Sequence, residues 1–187
     1  MQDNKYLDDL HEIRQMMRKS TLFLSLSGLS GVLAGVYALI GAAVVYKLLQ
    51  HHYLYYPYVI IESKTFKAII AVALLVLVAS VLTAYLFSMR KAKRNGEKLI
   101  TPTAKRAFYN FALPLLTGGA LCILLINNGH YGLLAPMTLI FYGLACVNVS
   151  KYTFGDVHYL GITEIILGLL AVQFSGYGLL FWVLGFG

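Results

Sequence analysis

Apolar residues along this chain gather into six long runs, at about residues 21–46, 65–88, 108–126, 131–150, 157–174 and 177–187, and short blocks between them hold almost all of the charge. Five of the runs approach or exceed the roughly 20 residues that a helix needs to cross a bilayer. The sixth reaches only 11 residues at Gly187, with no basic stop after "LLFWVLGFG", and the expectation is that the natural chain continues the span. Ahead of the first run, "YLDDLHEIRQMMRKS" spaces Leu7, Leu10, Ile13 and Met17 by three, three and four residues and puts Asp8, Asp9, Glu12, Arg14 and Arg18 elsewhere on the wheel. That spacing predicts an amphipathic helix that lies on the membrane surface, packs on the inner loops or runs into the first span. The predicted fold is all-α: a polytopic transmembrane helical bundle of six spans over residues 21–187, preceded by a short amphipathic helix over residues 1–20. The first run is too long for the apolar part of a signal peptide, and no small-residue cleavage site with a polar mature chain follows it.

Composition agrees with this picture: 59% of the residues are hydrophobic, 12% are charged, and the mean hydropathy is +0.71. A soluble domain carries about one quarter charged residues. The net charge of +7 would suit nucleic acid, but its placement points elsewhere. Basic residues crowd the segment before the first run and the 89–107 connection, where Arg90, Lys91, Lys93, Arg94, Lys98, Lys105 and Arg106 stand, whereas the 127–130 connection has none. This asymmetry predicts a cytoplasmic N-terminus, with the 89–107 and 151–156 connections on the same side. "RKAKRNGEKLITPTAKR" is then a topology signal, or beyond that a contact for anionic lipid or a protein partner through Arg90, Lys91, Lys93 and Arg94. Its "NG" and "TP" pairs predict an irregular loop. "HHYLYYPY" at 51–58 predicts an aromatic belt at the opposite interface.

The stretch "SLSGLSGVLAG" at 25–35 is dense enough in glycine and serine to suggest a phosphate loop, yet it has neither GxxxxGK[ST] nor GxGxxG. Backbone in lipid must satisfy its own hydrogen bonds, so the stretch is predicted to be helical. On a helix Ser27, Gly31 and Gly35 form one ridge, and Ser30, Ala34, Ala38 and Ala42 form the next. These ridges make a packing face for another span of the chain or for a second copy in a homo-oligomer.

Polar residues inside the runs are the functional candidates, because each is costly in lipid. Glu164 leads them, with Gly161, Gly168 and Ala171 on its own side of the fifth helix, so it is expected to point into the bundle. A protonatable carboxyl at a helix interface suits proton-coupled transport; a structural hydrogen bond would use the same arrangement. Asn110 and Thr117 in the third run, and Thr138 and Asn148 in the fourth, form stripes that could face it, with Pro114, Pro136 and Gly143 able to loosen their helices. Asp156 and His158 stand at the entrance of the fifth run, Asp156 as a candidate helix cap and His158 as a candidate proton relay. "YGLL" recurs at 131–134 and 177–180, compatible with two inverted three-span halves joined by the basic loop.

Signatures of catalysis are missing: there is no HExxH, GxSxG or CxxC, and the chain is read as a non-enzyme without cofactor or metal. Cys122 and Cys146 both fall within spans, where they act as small apolar residues. In "EIR" at 12–14, the small-residue first span and the late-span glutamate of "YLGITEIILGL", the sequence resembles a family of small bacterial multi-span membrane proteins. The resemblance implies a bacterial inner membrane and no particular activity. Two functions follow as expectations: a transporter or channel for a small solute or ion that uses Glu164, or a non-transporting module that binds a partner protein or anionic lipid through its basic loop.

Overall fold

A computed structural model describes residues 28–55, 63–94, 101–153 and 155–187 of the chain. Their helices are α1 (Gly28–Tyr55), α2 (Ser63–Arg94), α3 (Pro102–Asn127), α4 (Leu134–Val149), α5 (Asp156–Gln173) and α6 (Gly178–Phe186), with single 3-10 turns at Tyr131–Leu133, Ser150–Tyr152 and Ser175–Tyr177. No strand occurs among the described residues. The expected helix over residues 1–20, Ser27 and the middle of the basic connection lie outside them, as do residues 56–58 of the tyrosine-rich segment.

Five stretches are long and apolar enough to cross a membrane: Leu29–Leu49, Thr65–Arg94, Pro102–Asn127, Tyr131–Tyr152 and Asp156–Gln173. The nine residues of α6 rise only about 14 Å at 1.5 Å per residue, less than half of the roughly 30 Å hydrocarbon core. A crossing by the sixth run is therefore not made by α6 itself.

Two boundaries differ from expectation, both at the basic connection. The α2 helix continues to Arg94, so Arg90, Lys91, Lys93 and Arg94 ride on helix, three of them in its last turn, where cations complement the carbonyl end of the helix dipole. The α3 helix begins at Pro102: the Thr101 side-chain oxygen accepts a hydrogen bond from the Ala104 amide at 3.1 Å. "TP" is thus a cap followed by proline at the first helical position, where its missing N–H costs nothing. At the far end of α3, Gly129 takes φ 75°. The Gly129 amide donates to Ile126 and the His130 amide to Leu125, the paired closure that a left-handed glycine permits.

Small residues fill the interior and large ones face outward. Ala38, Ala42, Ala107, Ala145, Cys146 and Ala171 are buried, while Leu75 and Leu116 are about 70% exposed and most other leucines and valines of α2 about half exposed. That inverts a water-soluble core, and it suits lipid as the solvent, because hydrocarbon gives large side chains no reason to hide. Packing is most extensive between α4 and α5, then between α3 and α4 and between α1 and α2. The α6 helix touches α1, α4 and α5 and joins the outer pair to the rest. The described helices thus divide into α1–α2 and α3–α6, which is not the three-plus-three division that the repeat suggested. The two "YGLL" segments do meet, however: their 3-10 turns are in contact, and Gly178 lies against Ala135.

Candidate functional site

The buried residues of α5 are Gly161, Glu164, Gly168 and Ala171, spaced three, four and three so that they share one side of the helix. Glycine on this side lets α4 approach backbone to backbone. A Cβ on Gly143 would stand 2.6 Å from the Gly161 carbonyl oxygen, one on Gly161 would stand 2.7 Å from that of Gly143, and one on Gly168 would stand 3.0 Å from that of Pro136. Pro136 lies in the first turn of α4, where proline is tolerated without loosening the helix.

Glu164 sits midway along α5, about 12–14 Å from either end at 1.5 Å per residue. Its side chain is 1% exposed, and its Oε2 atom has no hydrogen-bond partner. Leu139 of α4 and Gly185 of α6 close over it: a Cβ added to Gly185 would come within 2.5 Å of both Glu164 Oε2 and a methyl of Leu139. Only glycine allows α6 to lie on the carboxyl in this way. Two further groups, both on α4, complete the surroundings. Tyr142 and Cys146 stand one turn apart, and both lie within electrostatic range of Glu164. Tyr142 is held by rings on either side, Phe111 of α3 at 6.1 Å and Phe186 of α6 at 5.0 Å, and Trp182 continues the row.

The polar stripes expected to face Glu164 do not converge on it. Thr117 and Thr138 are exposed, and each hydroxyl donates to its own helix, at the carbonyls of Leu113 and Ala135. The Asn110 amide donates to the Arg106 carbonyl at 2.9 Å. Asn148 shares with Thr138 the side of α4 turned away from Gly143 and hence from α5, because residues five apart in either direction are far around the wheel. Self-bonding of this kind satisfies an isolated hydroxyl or amide in lipid without a partner helix. Where α3 meets α4, the contact is instead Gly118 against Phe141, with no room for a Cβ.

Asp156 is the first residue of α5 and Gly155 its cap, with no side-chain cap bond. Asp156 therefore favours the helix dipole without capping the helix. His158 Nδ1 lies 3.4 Å from Ser150 Oγ. His130 stands at the opposite end of α4.

In the first span, the Gly31 face is open, with nothing within 4 Å of an added Cβ. A Cβ added to Gly35 would stand 3.5 and 3.1 Å from the Phe186 and Gly187 carbonyl oxygens, and one added to Gly41 would stand 2.7 Å from a methyl of Val76 of α2. The small face of α1 therefore meets α6 and α2, not α5. Of its neighbouring ridge, Ser30, Ala38 and Ala42 are buried and Ala34 is half-buried.

Sequence reasoning missed Tyr142, Cys146 and Gly185. Tyr142 and Cys146 are four apart, and Cys146 stands three residues beyond Gly143, a signal that the helical wheel of the fourth run already contained. The place of Gly185 beside Glu164 left no local trace. No protein family, curated protein or solved structure matches this chain.

Proposed function

We propose that this chain is a multi-pass membrane protein that moves a small solute or ion across the bilayer, with Glu164 as its proton-coupling group. The observation that carries this reading is the Glu164 Oε2 atom, buried halfway along a spanning helix with no hydrogen-bond partner. Leaving a buried polar group unsatisfied costs about 1–3 kcal/mol, more when it is charged, and a polar group kept in lipid at such cost is a functional candidate. In the closed arrangement α6 covers the carboxyl, so transport requires α6 to separate from α4 and α5 at Gly185. By the distribution of basic residues the N-terminus and the 89–107 and 151–156 connections face the cytoplasm in this reading. The setting in a bacterial inner membrane and the sixth span belong to the same proposal.

The test is proton flux into liposomes that contain the purified protein and a pH-sensitive dye. Flux that responds to pH in the natural chain and loses that response in Glu164→Gln supports the reading; flux indifferent to the substitution ends it. A second reading, docking of anionic lipid or an acidic partner, is favoured by the exposure of Arg90, Lys93, Arg94, Lys105 and Arg106 around the ends of α2 and α3.

A further inference from the structure

Within α3–α6, Glu164 is an acid without a base. Residues 107–129, 131–150 and 159–187 contain no Lys, Arg or His and no acidic residue besides Glu164. Lys105, Arg106 and Lys151 keep to the helix ends. The carboxyl is 1% exposed, and apolar groups lie on it: a Cβ on Gly185 would meet both Glu164 Oε2 and a Leu139 methyl at 2.5 Å, so the α6 backbone and Leu139 of α4 converge there. Aromatic rings extend along the α4–α6 seam from that point. Trp182 and Phe186 stand three residues before Gly185 and one after it, and Tyr142 follows Leu139 by three. The ring centres of Tyr142 and Phe186 are 5.0 Å apart, those of Phe186 and Trp182 are also 5.0 Å apart, and Phe111 of α3 lies 6.1 Å beyond Tyr142. All four rings are half-buried, so the row reaches the bundle surface beside a carboxyl that does not.

We propose that Glu164 and the rings of Tyr142, Trp182 and Phe186 bind a monovalent organic cation of the quaternary-ammonium kind, which enters along the row of rings when α6 lifts from the carboxyl at Gly185. This rests on the reading of Glu164 as a proton-coupling group and names the class of solute. A carboxylate supplies the opposite charge that α3–α6 lack, and ring faces attract a cation that carries its own hydrocarbon. A divalent metal ion fits poorly: calcium takes about six to eight oxygen ligands, whereas Thr117, Thr138 and Asn110 are bonded to their own helices. The carboxyl holds either the proton or the cation. As the cation arrives, the Glu164 O–H bond breaks, the proton leaves to water and the carboxylate pairs with the cation without a covalent bond. Among the titratable groups packed around α5, α4 brings Tyr142 and Cys146 within electrostatic range of the carboxyl, and both types ordinarily ionise above neutrality. The α6 helix brings no titratable side chain. Lys151, Tyr152, Asp156, His158 and Tyr177 stand at the helix ends, with His158 six residues from Glu164, about 9 Å along the axis.

The experiment is equilibrium binding of tritiated benzyltrimethylammonium to the purified full chain in detergent. Saturable binding is expected, weakened at least about thirtyfold in Glu164→Gln, as for the loss of one partner of a buried charge pair. Trp182→Leu should weaken it between about twofold and thirtyfold, the range of a cation–ring contact, and Trp182→Phe should recover most of the affinity. In the natural chain, acidification should displace the cation, whereas sodium ions and neopentylbenzene, the neutral isostere of the probe, should not. Absence of saturable binding, equal affinity in Glu164→Gln or in Trp182→Leu, or displacement by either competitor would each overturn the site. The acid and competitor measurements need no variant to fold. Binding of the expected pattern with no flux defeats the transport reading alone, and proton flux that depends on Glu164 with no saturable binding of the probe defeats the cation site alone.

Discussion

The α1–α2 pair and the α4–α5 pair are both antiparallel contacts between apolar helices, yet they are built differently. Between α4 and α5, glycines stand on both helices, and each looks onto the other's carbonyl oxygen at distances that exclude a Cβ. Between α1 and α2, one helix supplies Gly41 and the other answers with the branched side chain of Val76. Beyond that, a 3.4 Å contact between the hydroxyls of Tyr37 and Thr83 joins the two. The richer small-residue stretch therefore makes the looser interface. A ridge of glycine and alanine only permits close approach. Whether backbones touch depends on a matching ridge across the contact, and α2 presents valines where α5 presents glycines. Close approach also leaves the Glu164 carboxyl buried between α4, α5 and α6.

Substitution of glycine should separate the two pairs most sharply. Gly143→Leu drives a side chain into the α5 backbone, and overpacking there is expected to cost about 3 kcal/mol or more; Gly31→Leu, which enters open space, should stay within about 0.5 kcal/mol. Thermal unfolding in detergent measures both, and equal effects would erase the distinction between the interfaces. A smaller change is expected at the carboxyl. Glu164→Met replaces an unsatisfied polar group with an apolar one of similar size and should raise stability by about 1 kcal/mol while abolishing pH-dependent flux. A loss of stability in that variant would instead mark Glu164 as a structural hydrogen-bonding group. The least effect belongs to the outer pair: Tyr37→Phe removes its hydroxyl contact and should cost no more than about 0.6 kcal/mol, the usual size of such a bond between membrane helices. A larger penalty would show that the pair depends on that contact.

Much of the frame was readable from spacing. Five of the six apolar runs correspond to helices of spanning length, because backbone in lipid has few alternatives to the helix. The side of α5 that carries Glu164 followed from three residues of smaller size at steps of three and four. Helix ends were harder to place. Arg90 to Arg94 resembled a loop because they are charged, although charged residues extend a helix readily once it leaves the hydrocarbon, and "TP" serves a turn and a helix start equally well. The polar stripes misled for a related reason. Threonine and asparagine in a membrane helix can bond to their own backbone one turn back, as Thr117, Thr138 and Asn110 do, so a polar residue in a span does not by itself imply a polar partner.

By itself, the sequence determined the all-helical class, the apolar helices and the inward side of α5, since each depends on local periodicity and on the cost of unsatisfied backbone in lipid. Only the tertiary structure decided which small faces meet, that α6 lies on Glu164 through Gly185, and that Tyr142 packs between Phe111 and Phe186. Those are contacts between residues far apart in the chain. In hydrocarbon they are selected by shape across the interface, a property that neither helix carries alone.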